Sequence, residues 1–206
     1  MVVVVCFQVY KSAELTLRCS TNLIKSIGTQ LTTRQRERFK KTIFGPWLNV
    51  LFIENDAAYV NLMLQKKKKR RSSRVEIQEE HDDLWFGLSR SLTVRFGRRE
   101  FCLMTGLRFG ELTSMNHYVP AEVRQTTPPI RVRCFQENVG EDTLTYGHIK
   151  ARFLNTRGLE TADDDLVRLA IIIVIEMGMM GKQPHYKIDN TFLHFIEDFN
   201  NIAQYP

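Results

Sequence analysis

The stretch Leu166-Val-Arg-Leu-Ala-Ile-Ile-Ile-Val-Ile-Glu-Met-Gly-Met-Met-Gly181, entered through Thr161-Ala-Asp-Asp-Asp165, limits most strongly how this chain can fold. Leu166, Leu169, Ala170, Ile173, Val174 and Met177 recur at the i, i+3, i+4, i+7 spacing of one helical face. Ile171, Ile172 and Ile175 fill the other faces. A helix that is apolar nearly all round has to be surrounded by protein or lipid. Its longest uninterrupted apolar run, Leu169–Ile175, is seven residues, whereas a bilayer span needs roughly 20. The expectation is therefore a central buried helix over about 161–181, with no membrane partner. Thr161 is placed to cap it, Asp163 to Asp165 favour its positive end, and Asp164 occupies the capping-box position.

The other segments supply a shell for such a helix. Thr21 can cap a helix that turns Leu23, Ile24, Ile27 and Leu31 to one side. Thr33 can cap a second that carries Phe39 and Ile43 inward and stops at Gly45-Pro46, with the glycine as a left-handed terminus. Trp47 to Phe52 suggests a buried extended piece or loop. Asp56 opens a helix to about Leu64, with Tyr59, Leu62 and Met63 inward. LWFGL and LTVRF, joined by Ser89-Arg90-Ser91, predict a small β-hairpin over about 84–96, because Leu92, Val94 and Phe96 alternate with Thr93 and Arg95. Arg98 to Thr105 predicts a helix closed by Gly106. Tyr146, Ile149, Phe153 and Leu154 mark another that ends near Gly158. A last helix runs from about Asn190 with Phe192, Leu193, Ile196 and Phe199 inward. The fold class expected is α+β, mostly α. Residues 110–143, punctuated by Pro120, Pro128-Pro129 and Gly140, predict an irregular insertion with one short strand at Ile130–Phe135.

Residues 66–83 break every periodicity, with a basic half followed by an acidic half, and predict an exposed loop. Lys66, Lys67, Lys68, Lys69, Arg70, Arg71 and Arg74 carry seven positive charges; without them the chain holds 22 basic against 23 acidic residues. The net charge of +6 is thus one local feature. Clustered lysine and arginine on an exposed loop is the composition that nuclear-import receptors read. That run is accordingly the one candidate site, with an import receptor and, weakly, nucleic acid as partners. A smaller cluster at Arg34, Arg36, Arg38, Lys40 and Lys41 could assist. Nucleus is the expected location, cytoplasm the alternative. The opening Val2–Phe7 has no basic lead-in and no small-residue cleavage site, so secretion is not expected.

No residue pattern calls for chemistry. Cys6, Cys19, Cys102 and Cys134 form no Cys-x-x-Cys pair, and the five histidines show no metal-ligand spacing. Cys102, between Phe101 and Leu103, suggests core packing, and His81-Asp82-Asp83 a solvated run. Gly106-Leu-Arg-Phe-Gly110 lacks the Gly-Lys-Ser/Thr ending of a phosphate loop. Met177, Met179 and Met180 suggest the flexible end of the core helix, with a methionine-rich partner groove as the alternative. No catalytic, cofactor-binding or metal-binding residue is expected, and no enzyme.

Five pieces carry a family resemblance: FKKTIFGPWLNV (39–50), LWFGL (84–88), VRFGRREFCLMTGLRFGE (94–111), LVRLAIIIVIEMGMMG (166–181) and FIEDFNNIAQYP (195–206). In this order they resemble a plant domain of unknown function, number nineteen-eighty-five in that series. The family occurs in transposon-derived plant proteins, often beside a C-terminal ubiquitin-like (SUMO-type) cysteine protease domain. The resemblance implies a single domain over 13–206, an unmatched segment at 1–12, and an added basic loop at 66–74. Relatives continue through a tryptophan and a glycine where this chain stops at Tyr205-Pro206, which implies a fragment or a decayed gene copy. The protease uses a histidine followed by tryptophan and a cysteine followed by glycine. Here the four cysteines precede Phe7, Ser20, Leu103 and Phe135, and no histidine precedes a tryptophan. Protease activity is therefore not carried over. The resemblance implies a non-enzymatic interaction module with an unidentified protein partner. The alternative is a nuclear, nucleic-acid-associated protein using 66–74.

Overall fold

The computed structural model describes residues 21–49, 57–67, 83–108, 114–135, 144–155 and 163–204. The fold is α+β and mostly helical, and its described residues fall into two compact units. The larger unit takes 21–49 and 114–204 among them, the smaller takes 57–108.

The larger unit is built around the expected central helix. Its α-helical part, α8 (Asp163–Ile172), runs into a π-helical segment, Ile173–Met179. Leu166, Val167, Leu169, Ala170, Ile171, Ile172, Ile173, Val174 and Met177 are all buried, so every face of the rod is covered. The wider winding shows in Met180, whose N–H donates to the Ile175 carbonyl five residues back, 2.9 Å. Gly181, at φ 66°, then closes the rod. The Lys182 N–H reaches back six residues to the Glu176 carbonyl at 2.7 Å, one residue further than the long bond that ends an α-helix on a left-handed glycine. Met177 is buried and Met180 exposed, so the methionines do not line one groove. The expected Thr161 cap lies outside the described residues.

Helices α1 (Thr21–Gln30) and α2 (Thr33–Lys40) cover one side of the rod, α1 with Ile24 and Ile27, α2 with Phe39. Ile24 lies against Gly178, where an added Cβ would already be in van der Waals contact at 3.5 Å. The side chain of Thr21 lies outside the described residues. The cap of α2 is Thr32, one residue before the expected Thr33. Its hydroxyl accepts from Gln35 N–H (3.3 Å), while the Gln35 side chain accepts from Thr32 N–H (3.0 Å). The Thr-x-x-Gln spacing that forms this box begins at Thr32. Gly45 is not left-handed as expected; it is required because a Cβ there would collide with the Lys40 carbonyl. The chain then makes a 3-10 turn, Gly45–Asn49, not an extended piece.

The described part of the expected insertion is helical. A 3-10 turn at Met115–His117 leads to α5 (Ala121–Arg124) and α6 (Pro129–Phe135). The expected strand at Ile130–Phe135 is therefore a helix. Pro129 is pre-set for a first helical position, and the Glu197 carboxylate accepts from Ile130 N–H, one of the donors a helix start leaves unpaired. Helix α7 (Tyr146–Leu154) starts on a Thr145–His148 box and buries Tyr146, Ile149 and Phe153. The expected last helix is two, α9 (Asn190–Phe195) and α10 (Phe199–Gln204). Asp198 divides them, accepting from Asn200 N–H at 2.8 Å as a helix-starting residue does.

The smaller unit holds α3 (Ala57–Gln65), the hairpin β1 (Leu84–Gly87) and β2 (Thr93–Phe96), and α4 (Arg98–Thr105). The antiparallel register pairs Leu84 with Phe96 and Phe86 with Val94. Ser89 Oγ accepts from Leu92 N–H at 3.0 Å and fixes the turn. Gly106, at φ 73°, ends α4 as expected. The apolar side of this unit is less covered than its alternation implies: Leu92 and Val94 are exposed. Helix α4 has no buried residue, and Leu103 and Met104 are 76% and 77% exposed. Cys102 is half-buried, not a core residue. The side chain of Tyr59 lies outside the described residues. Among the described residues no helix is long and apolar enough to cross a membrane.

Candidate functional site

Three consecutive aspartates open α8, and a helix turns about 100° per residue, so they face three directions. Two of them meet successive turns of α2 and the third meets α6. Asp163 faces α2, where Arg34 Nε stands at 3.1 Å and Gln35 Nε2 donates at 3.0 Å. Asp164 pairs with Arg38, one turn further along α2. Asp165 faces α6 and is buried. Arg133 donates to both of its oxygens at 2.8 Å, and Arg168, one turn on in α8, adds a third bond at 2.9 Å.

Glu197 completes this cluster. Its carboxylate accepts from Arg133 Nη2 at 2.8 Å and from Ile130 N–H. Its backbone carbonyl, freed by the break between α9 and α10, accepts from Arg168 Nη2 at 2.8 Å. The Arg168 guanidinium lies 4.8 Å above the Phe199 ring, a cation–π contact that covers its remaining face. Helices α6, α8 and α10 and the link before α10 are thus tied at one point by groups up to 67 positions apart in sequence.

The electrostatics are those of a tie. Burial alone would raise the Asp165 carboxyl, but Arg133 and Arg168 outweigh it and hold it below its ordinary value of 3.8. The hydrogen bond to Asp165 raises Arg133 in turn. Elsewhere in the unit the Tyr146 hydroxyl donates to Glu176 in the π segment at 2.9 Å; burial, then the Glu176 charge, push Tyr146 above its usual range. Burial likewise pushes the Cys134 thiol up to about 11, so at neutral pH it carries almost no thiolate, the reactive form. Among the described residues no group of three or more His, Cys, Asp or Glu is placed to hold a metal ion.

Because the folded-state value of Asp165 is depressed, its contribution to stability is complete above the ordinary carboxyl value and is lost as pH falls through the lower, folded value. Denaturant titrations below pH 4 should therefore show stability falling less steeply in Asp165→Asn than in the parent chain. Identical slopes would remove Asp165 as a source of acid sensitivity.

Of the candidate import run, only Lys66 and Lys67 are described; Lys68, Lys69, Arg70, Arg71 and Arg74 lie outside the described residues. Both lysines have their backbone tied to the hairpin. Gly87 N–H donates to the Lys66 carbonyl at 2.9 Å, and Lys67 forms an antiparallel bridge with Phe86. Lys67 is exposed. The second basic cluster is largely committed: Arg34 and Arg38 to aspartates of α8, Arg36 to the Gly28 carbonyl, Lys40 to Glu37. Asp83 is not solvated as expected; its mostly covered carboxylate stands 3.5 Å from Arg95 Nη1. His81 and Asp82 lie outside the described residues. The Arg133–Asp165–Arg168–Glu197 cluster is absent from the sequence reading. The available signal was Arg168, a cation three residues after Asp165 on a rod otherwise without basic residues.

Beside this cluster an open groove of about 400 Å³ lies between the end of α2, the start of α8 and α10. Arg38 and Asp164 form one wall, Lys41 stands at the rim, and Ile43, Phe199, Ile202 and Ala203 supply apolar surface.

The family described as Domain of unknown function (DUF1985) matches residues 71–206. The chain belongs to that family. The match takes in the hairpin, α4 and the whole buried rod. It also holds all four residues of the tie, Arg133, Asp165, Arg168 and Glu197, while the piece at 39–50 lies before it. No curated protein and no solved structure matches the chain.

Proposed function

We propose that this chain is a non-enzymatic interaction module of a transposon-derived plant protein, related to domains that stand beside SUMO-type cysteine proteases. One observation carries the non-enzymatic part. Asp163, Asp164, Asp165 and Glu197 of the larger unit are each taken by arginines, and Glu176 by the Tyr146 hydroxyl. A general acid or base needs a proton it can exchange at working pH, and a carboxylate locked to two guanidiniums holds none. Plant origin, transposon derivation and the protease association rest on the sequence resemblance.

The test is labelling with a SUMO-derived electrophilic probe, alongside cleavage of a SUMO-fusion substrate. Neither labelling nor cleavage is expected. Specific labelling of Cys102 or Cys134 that disappears when one histidine is substituted would overturn the reading.

Nuclear import is proposed for the run from Lys66 to Arg74, with an import receptor as the partner. Its support is the density of charge and the exposed Lys67 at its start. A fluorescent reporter fused to the full chain should accumulate in nuclei, and Lys66–Arg71→Ala should abolish the accumulation. Equal accumulation of both forms would sink the claim.

A further inference from the structure

We infer that the outward side of α4, formed by Leu103 and Met104 with Phe101 and Arg99 beside them, docks a segment of a partner protein that presents apolar side chains among aspartates and glutamates. The inference rests on the interaction-module reading and gives the module its contact face.

A surface helix normally turns its apolar side toward its own core. Helix α4 does the reverse. At about 100° per residue, Phe101, Met104 and Leu103 fall on one half of the helix, with Arg99 one turn before Leu103. Leu103 and Met104 are 76% and 77% exposed, and Phe101 38%. The less exposed positions include Cys102 and Thr105. Their polar groups are already satisfied, Cys102 Sγ donating to the Arg108 carbonyl at 3.2 Å and Thr105 Oγ1 to the Phe101 carbonyl at 2.8 Å. Large apolar side chains held in water contribute nothing to folding, and become favourable only when a second surface covers them. Phe, Met and Arg are also the residue types that protein interfaces favour.

Charge decides what covers this face. The stretch 57–108 holds 12 basic and 6 acidic residues, and so the whole of the chain's net charge of +6. Its two described carboxylates, Asp83 and Glu100, are both taken by Arg95. Arg99 is exposed and bonded to neither. A second copy of the chain would bring the same positive charge against this one, which opposes association. Nucleic acid fits less well, because phosphates call for cations and leave Leu103 and Met104 uncovered. A lipid surface also fits less well. Helices that lie on membranes carry a wide charged side opposite the apolar one, whereas the opposite side of α4 includes Cys102 and Thr105. An acidic protein segment with apolar side chains answers both features.

The experiment uses the full chain, ¹⁵N-labelled, titrated with acetyl-Glu-Leu-Leu-Asp-Phe-Leu-Glu-amide and with its uncharged counterpart, acetyl-Gln-Leu-Leu-Asn-Phe-Leu-Gln-amide. Saturable shifts are expected at the amides of Phe101, Cys102, Leu103, Met104 and Thr105. The acidic peptide should bind about fivefold more tightly than the uncharged one, as expected for a few exposed charge pairs. Leu103→Ser combined with Met104→Ser should abolish both interactions and leave the melting temperature unchanged, because neither side chain is buried. Arg99→Gln should weaken the acidic peptide about twofold, the loss of one such pair, and leave the uncharged one unaffected. Equal affinities in the parent chain, shifts centred elsewhere, or no saturable shift would overturn the inference. So would anionic phosphatidylserine vesicles or a DNA decamer that shift these amides while the peptides do not. Concentration-dependent shifts of the same amides in the chain alone, removed by the double serine variant, would assign the face to a second copy and overturn it too. A silent α4 in a chain inert to the SUMO probe overturns this inference alone. Probe labelling overturns the non-enzymatic reading even if α4 binds.

Discussion

Ile173→Asp is expected to unfold the larger unit. Ile173 is 2% exposed and sits where the α-helical rod passes into its π-helical segment, with buried neighbours on both sides along the chain. A carboxylate there would lie among apolar side chains. Burying such a group without a partner costs several kcal/mol, and an ionised one far more. The added cost of lost packing brings the total to about 4 kcal/mol or more, a large share of a typical domain's stability. Far-ultraviolet circular dichroism and urea titration should show a chain that is unfolded or largely insoluble at 25 °C. Ile173→Val, which removes one methylene, should cost only about 1 kcal/mol. A soluble Ile173→Asp variant with an unchanged melting temperature would refute the placement of this helix at the centre.

Asp165→Ala should destabilise the same unit by about 3 kcal/mol. The carboxylate is buried and takes three hydrogen bonds, from Arg133 and Arg168. Removing one partner of a buried ion pair costs about 3–5 kcal/mol, because the remaining charge is left uncompensated. The lower end applies here, since Arg133 is partly exposed and water can solvate it, while Glu197 keeps one bond to it. Removing the charges together is a different experiment. Asp165→Leu combined with Arg133→Leu should be less harmful than the sum of its parts, as expected when two residues act as a pair. An Asp165→Ala cost below about 0.5 kcal/mol, the level of an exposed pair, would show that the tie between α6 and α8 holds nothing together.

These two experiments probe parts of the molecule that differ in how legible they were. The rod could be read because its signal is local: apolar residues on every face between Leu166 and Met177 leave no stable alternative to burial. The hairpin register, the αL terminus at Gly106 and the start of α7 follow from neighbours within a few residues. The cap of α2 was equally local, and its misplacement by one residue came from not pairing Thr32 with Gln35. The helix at Pro129–Phe135 was not local in the same way. Ile130-Arg-Val-Arg-Cys-Phe alternates like a strand, and what starts the helix is a carboxylate 67 positions later.

The candidate site divides along the same line. Sequence alone established the basic run from Lys66 to Arg74, the missing protease signatures, the buried rod and the membership of a family whose pieces lie in order along the chain. Each depends on residue types and short spacings, which a linear reading preserves. Only tertiary structure decided that Asp163, Asp164 and Asp165 are three separate ties and not merely a helix start, and that Glu197 joins them. It also decided that Arg34 and Arg38 are spent on α8 while Lys41 is left at the rim of a groove. Charges find partners by proximity in space, and at low effective dielectric a contact of 3 Å outweighs any pattern along the chain. No periodicity encodes which of five neighbouring cations will meet an aspartate of another helix.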